Sequence, residues 1–310
     1  MQHLRRMEGR VVLLTGGGGG IARGVARAFA DEGAKMILTD VFPEGMARTK
    51  AELERDFGTE VVTCIADGSK EDEVKAAIEK GIAHFGKLNV LINSAQTSAS
   101  GLTLVEHTEA DFDKAIYSGL YATFFYMKHA FPYLKETKGS VINFASGAGI
   151  SGKPGQSSYA AAKEGIRGLS RVAANEWGIY DINVNVVLPP VMTDKLAQRG
   201  QENPEMFKKN LDAIPLGRYG DAQKDIGKVC VFLSSYDAKY ITGDTLFIKG
   251  GVGCHIIFCD TRRLSMSAAR LWTAFAKTRF AQTRLCAVTS AALITKYLLS
   301  SLQNDRPPLR

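Results

Sequence analysis

The chain has 310 residues, with 39 Lys and Arg against 32 Asp and Glu, for a formal net charge of +7. That excess is local: residues 254–310 hold nine basic side chains, two acidic ones and none of the 31 glycines, which leaves residues 1–253 electrically neutral. A neutral body gives no electrostatic reason for a nucleic-acid partner, a hydrophobic fraction of 45% excludes a disordered chain, and no apolar run is long enough for a membrane-spanning helix.

Along the chain, short apolar runs alternate with longer amphipathic stretches, the pattern of βαβ units and a parallel sheet. The opening MQHLRRMEGR leads into too short an apolar run for a secretory signal. Strands are expected over 11–14, 35–39, 60–65, 88–93, 140–144, 183–188 and 245–248. They are rich in Val, Ile and Leu with little alternation, as strands covered on both faces are. Ile21, Val25 and Phe29 recur every four residues and give the first helix an apolar face ahead of Gly33, as Val74, Ala77 and Ile78 do for a helix ending near Gly86. Residues 108–136 and 156–179 read as two longer helices. Residues 188–210 carry Pro189, Pro190 and Pro204 and read as a loop able to close over a pocket, with Met192, Met206 and Phe207 as its apolar surface. The expected fold is a single Rossmann-like, doubly wound α/β domain over 1–253, followed by a basic extension over 254–310 for which a helix is one reading.

The first strand runs into Thr15 and five glycines, Gly16–Gly20, before Ile21 opens a helix. Glycine lets the backbone turn tightly and approach a pyrophosphate, whose charge then sits at the helix N-terminus. Gly16, Gly20 and Ile21 are the expected contacts. Asp40 ends the second strand, where a carboxylate can bond the adenosine ribose hydroxyls and repel a 2′-phosphate. The turn therefore predicts a dinucleotide, NAD in preference to NADP.

Ser146, Tyr159 and Lys163 stand as Ser-x12-Tyr-x3-Lys. Tyr and Lys four residues apart share a helix face, so a nearby ammonium can draw the phenol down from its ordinary pKa of about 10. A proton-transferring group for an alcohol or ketone needs that, with a serine at the end of the neighbouring strand to hold the substrate oxygen.

On these motifs residues 8–253 resemble a short-chain dehydrogenase/reductase. The resemblance implies that Tyr159 is the catalytic acid/base, that Lys163 binds the nicotinamide ribose and lowers the Tyr pKa, and that Ser146 positions the reacting oxygen. It further implies that Asp67 lies near the adenine, that Asn93 opens the segment the family writes Asn-Asn-Ala-Gly, and that Pro189 and Thr193 contact the nicotinamide end. A homodimer or homotetramer is implied as well. Departures from the family pattern are Ala22 for the third glycine, Gln96 for a glycine, Pro190 for the glycine after Pro189, Lys249 for an Asp, and Gly119 where a catalytic Asn is common. Without that Asn, a proton relay would fall to Ser118 or to backbone groups.

The expected activity is NAD(H)-dependent interconversion of a secondary alcohol and a ketone on a small hydrophobic metabolite. Gly119, Pro190 and Gln96 keep open the alternative of a nucleotide-binding protein with little turnover. In the extension, Arg263, Arg270, Lys277 and Arg284 recur every seven residues, and such a stripe suits a membrane surface or an anionic partner. Five cysteines without a CxxC pair fit a reducing, cytoplasmic compartment, and His107, His129 and His255 form no metal-ligand spacing.

Overall fold

The computed structural model describes residues 5–252. The basic stripe over 263–284, His255 and three of the cysteines lie outside the described residues.

Seven strands form one parallel sheet: β1 (Val11–Thr15), β2 (Lys35–Asp40), β3 (Val61–Ile65), β4 (Val90–Asn93), β5 (Ser140–Phe144), β6 (Asn183–Leu188) and β7 (Thr245–Phe247), in the order β3-β2-β1-β4-β5-β6-β7. The chain builds outward from β1 to β3, then returns to place β4 on the other side of β1. The strand order reverses at the β1/β4 boundary, where crossovers diverge and leave a crevice beyond the carboxyl ends of the strands.

Helices α1 (Gly20–Asp31), α2 (Pro43–Phe57), α3 (Glu71–Phe85), α4 (Glu109–Ala115), α5 (Ala122–Thr137), α6 (Gly147–Ser151), α7 (Ser157–Trp177), α8 (Asp194–Glu202), α9 (Pro204–Asp212) and α10 (Lys228–Leu233) complete the layers. Within β1, Val12 and Leu14 join the core containing Val25 and Phe29 of α1, while Val11 and Leu13 join the opposite core with Val74, Ile78, Tyr126 and Leu134. Period-two side chains buried on both faces are what made the strands read as unbroken apolar runs.

Three elements differ from expectation. The helix predicted over 108–136 contains a π-helical turn, Ile116–Tyr121, between α4 and α5. Residues 188–210 hold α8 and α9 rather than an irregular loop, with the Asn203 side chain capping α9 and Pro204 in its first turn. Both devices start helices, and the Pro residues had been read only as breakers. Helix α2 escaped notice because its buried face is narrow, chiefly Met46, Thr49 and Leu53 among charged residues.

A second π-helical turn, Ala222–Gly227, runs into α10 and packs against α1. The contact is glycine-tight: a Cβ on Gly24 would lie 2.3 Å from the Ala222 Cβ and 2.8 Å from its backbone carbon, and one on Gly227 would lie 2.5 Å from the Ala28 Cβ. Gly24→Ala tests this approach. Better helix propensity would stabilise the variant by about 1 kcal/mol, but overpacking against backbone costs about 1–3 kcal/mol. The expected net result is a lower urea midpoint with an unchanged slope.

Candidate active site

The crevice beyond β1 and β4 is a cleft of ≈ 670 Å³ lined by Gly16, Gly18, Gly19, Gly20, Ile21, Asp40, Arg48, Asp67, Gln96 and Tyr126 among others. Its floor is held by short bonds. The Gly16 amide donates to Thr39 O at 2.8 Å, and the Thr15 hydroxyl oxygen accepts from the Ser94 and Ala95 amides, each at 3.0 Å. Gly16 adopts φ 76°, and a Cβ on it would stand 3.2 Å from the Ala95 backbone. Gly18 lies under Asp40, so a Cβ there would meet Oδ2 at 2.9 Å, whereas Gly19 and Gly20 have nothing within 4 Å of that position. At the start of α1 the N-terminus has no side-chain cap, and the bare Gly19 and Gly20 leave room for a ligand to approach the first-turn amides. That cradle fits a pyrophosphate, and the donor set as a whole fits a dinucleotide.

Asp40 accepts from the Gly18 amide at 2.9 Å and the Phe42 amide at 3.1 Å, which fixes its carboxylate at the cleft edge. Asp67, just past β3, accepts from the Ser69 hydroxyl and amide, and that hydroxyl bond holds its carboxyl below the usual range. Asn93 is placed differently. It is buried within β4, donates from Nδ2 to Asn143 Oδ1 of β5 at 2.9 Å, and is absent from the cleft lining. Its buried Oδ1 has no partner. Thr193 sits at the start of α8, where its Oγ1 accepts from the Leu196 amide at 3.2 Å.

One strand over from β4, β5 delivers Ser146, which caps α6 by accepting from the Ala148 amide at 3.2 Å. Tyr159 and Lys163 lie about one turn apart on α7, with Lys163 Nζ 5.6 Å from the phenol ring centroid. Lys163 is 4% exposed and donates to Phe144 O at 2.7 Å, so the ammonium is tethered to the end of β5. Burial pushes Lys163 down to about 7. Burial also pushes the Tyr159 phenol up, and a hydrogen bond with Ser146 draws it partly back. Of these two effects on the phenol, desolvation is the larger.

A family model described as enoyl-(acyl carrier protein) reductase matches residues 17–253. The chain belongs to the short-chain dehydrogenase/reductase family. Within that family, a 12alpha-hydroxysteroid dehydrogenase of Clostridium sp. is 54% identical over 252 residues, covering 79% of this chain and 97% of the relative. Levodione reductase of Leifsonia aquatica is 37% identical over 254 residues, 79% of this chain and 95% of the relative. A crystal structure of levodione reductase superposes with a TM-score of 0.75 at 36% identity over 79% of this chain and 98% of that one. A short-chain alcohol dehydrogenase structure from Sinorhizobium meliloti gives a TM-score of 0.76 at 30% identity over 81% and 98%.

Two contacts in this family member escaped the sequence. His107, at the foot of α4, lies 3.1 Å through Nδ1 from both Thr103 O and Ser157 Oγ, and 3.2 Å through Nε2 from Ser158 Oγ. A carbonyl only accepts, so Nδ1 carries the proton, and in the neutral ring Nε2 takes the hydrogen of Ser158. His107 thereby ties the loop after β4 to the buried residue preceding Tyr159, over 51 positions of sequence. Ser118, the candidate for a relay, faces the Thr97 carbonyl at 2.9 Å and accepts from the Thr97 amide at 3.1 Å, so it fastens the same loop from the other end.

The Lys163 shift has a thermodynamic consequence. Its folded pKa of about 7 lies below the ordinary 10.5, so between these values the unfolded chain binds more protons and stability rises with pH. Below about pH 7 the full penalty of the buried ammonium applies. Against Lys163→Met, wild type should gain about 1.4 kcal/mol per pH unit between these limits. Paired thermal melts across that range check it, and parallel curves would exclude the shift.

Proposed function

We propose that this chain interconverts a secondary alcohol and a ketone on a fused-ring or similarly hydrophobic small molecule, using NAD(H), with 12α-hydroxysteroids as the first substrates to test. The observation that carries this reading is the set Ser146, Tyr159 and Lys163 beside the dinucleotide cleft, in a chain 54% identical to a 12alpha-hydroxysteroid dehydrogenase along 97% of its length. Apolar groups favour a hydrophobic substrate: Leu104 and Val105 are 72% and 91% exposed on the loop after β4, and Met192 is 41% exposed ahead of α8. That loop is held at the site by the Gly101 amide, which donates to Gly155 O at 2.8 Å.

When bound, the dinucleotide supplies the acceptor or donor of the hydride. The α1 N-terminus holds its pyrophosphate, Asp40 its adenosine ribose, Asp67 its adenine side, and Lys163 and Thr193 its nicotinamide half. Tyr159, kept protonated at neutral pH by burial, gives its proton to the carbonyl oxygen in reduction and takes it back in oxidation. Ser146, oriented by the Ala148 amide, donates its hydroxyl hydrogen to that oxygen. Asn93 supports the site from within the sheet by fixing β4 to β5. Residues 1–253 form the catalytic unit, and a chain ending at Gly253 retains its turnover. Tyr117, Tyr121 and Phe124, 45%, 41% and 40% exposed along α4–α5, offer an apolar strip for a homodimer or homotetramer.

Tyr159→Phe removes the transferable proton and should lower kcat about 10²- to 10⁴-fold on 12-oxo- or 12α-hydroxysteroid, followed by NADH absorbance. NADH affinity should stay near wild type. Equal turnover by the variant sinks the assignment of Tyr159. Tight NADH binding without turnover on steroid, alicyclic or aliphatic ketones would favour a nucleotide binder.

A second reading of the cofactor has its own observation. Arg48 of α2 lines the same cleft as Asp40 and has no bonded partner among the described residues, so it is placed to meet a 2′-phosphate. If Asp40 decides, wild type prefers NADH and Asp40→Ala raises activity with NADPH. If Arg48 decides, wild type prefers NADPH and Arg48→Ala loses about tenfold or more of kcat/KM with NADPH alone, the value of a charge-assisted phosphate contact.

A further inference from the structure

We propose that Gln96 is a positioning residue of this active site, and that the missing side chain at Gly119 is the space Gln96 requires. Only the kinetic arm of the proposal rests on the alcohol/ketone reading above.

Gln96 follows β4 in the wall of the dinucleotide cleft, and Gly119 lies inside the π-helical turn Ile116–Tyr121. The two meet face to face. A Cβ built on Gly119 would fall 2.6 Å from the Gln96 Cδ, 2.8 Å from Nε2 and 3.0 Å from Oε1, so the carboxamide fills the volume a side chain at 119 would take. Gly119 is not among the residues of positive φ, so its backbone does not demand glycine and space is the whole reason for it.

The carboxamide also makes a bond that the turn needs. A π turn pairs i with i+5 and disturbs the regular ladder of carbonyls around it. Gln96 Nε2 donates to Ala115 O, the last residue of α4, at 3.4 Å. Its other end, Oε1, is buried and has no partner.

From the turn the contact continues to the catalytic helix. Leu120 presses on α7 at Gly165, where a Cβ would meet Leu120 Cδ2 at 2.7 Å, two residues beyond Lys163. Gln96 therefore acts through the turn and Leu120 on the segment of α7 that carries Tyr159 and Lys163.

The atoms a Cβ at 119 would strike are the end of a flexible side chain, so Gly119→Ala evicts the carboxamide without breaking the fold. Gly119→Ala, Gln96→Ala, their double variant, Gln96→Gly, and the exchanged pair Gln96→Gly/Gly119→Asn are compared with wild type in kcat, KM, NADH binding by fluorescence, and Tm. Each single variant should lose about tenfold in kcat with NADH affinity changed less than about threefold, and the double should lose no more than the worse single, because both changes remove one contact. The exchanged pair, which returns an amide from the helix side, should exceed Gln96→Gly alone by about threefold or more. Wild-type kcat in Gly119→Ala, losses that multiply in the double, or losses fully explained by unfolding would each overturn the proposal. If wild type binds NADH yet turns nothing over, the functional reading fails, and non-additivity of Tm in the same cycle still decides whether Gln96 and Gly119 act as a pair.

Discussion

The site depends on a single buried hydroxyl. Thr15, 3% exposed at the end of β1, accepts from two successive amides, Ser94 and Ala95, at the end of β4. These are the strands between which the sheet reverses its direction of building, so their ends have no crossover to hold them together. Losing the hydroxyl would leave two half-buried N–H groups without their shared acceptor, each bond worth about 1 kcal/mol net, against a total stability on the order of 10 kcal/mol. The bond also joins the glycine turn and Asp40 on one side to Gln96, Ser118 and the π turn on the other. The glycine cradle and the π turn that packs on α7 are thereby parts of one bonded assembly.

Electrostatically, the body is neutral and the site is quiet. Most ion pairs are exposed and individually worth little, as at Lys138–Asp181 and Lys208–Asp212. The carboxylates of the cleft are instead held by neutral donors: amides for Asp40, a hydroxyl and an amide for Asp67. Such fixed dipoles keep their orientation when the charge of a ligand arrives, which is the arrangement that stabilises developing charge with least reorganisation. Tyr159 and Lys163 are displaced in opposite directions by the same cause, and both displacements favour the uncharged form. A neutral pair costs less to desolvate than a charged one.

Much of this was legible in the chain. Strands buried on both faces announce themselves as Val, Ile and Leu runs, and β1, β2, β5 and β6 lie within a residue of where periodicity puts them. The glycine turn and the Ser146–Tyr159–Lys163 spacing are local patterns, and the family match confirms the chemistry class they imply. Contacts across long separations left no such trace. His107 reaches Ser158 across 51 positions, and its single histidine among polar residues looks like any surface group. The π turn has no composition of its own, and Gly119 becomes intelligible only once Gln96 is seen lying on it. Likewise, the Lys163 shift comes from burial, and no i, i+4 rule reports how deep a helix face sits.

The π turn also constrains length. Each residue of a helix advances the direction of its side chains by roughly 100°, so one extra residue in a regular helix would turn everything after it by that angle, and the wider π turn absorbs the surplus. The α5 residues whose facing is preserved in this way are Tyr126, Met127, Ala130 and Leu134, all within 2% of complete burial. Upstream, α4 keeps its capped start and its packing on α7. The segment between the Thr108 cap and Leu134 is thus one residue longer than the path it covers, and both ends are fixed. A chain shortened by one residue within the turn would run as a regular helix with both ends still in phase, and what it would lose is the widened turn in which Gly119 lies against Gln96. The irregularity keeps two helices in phase with two different surfaces.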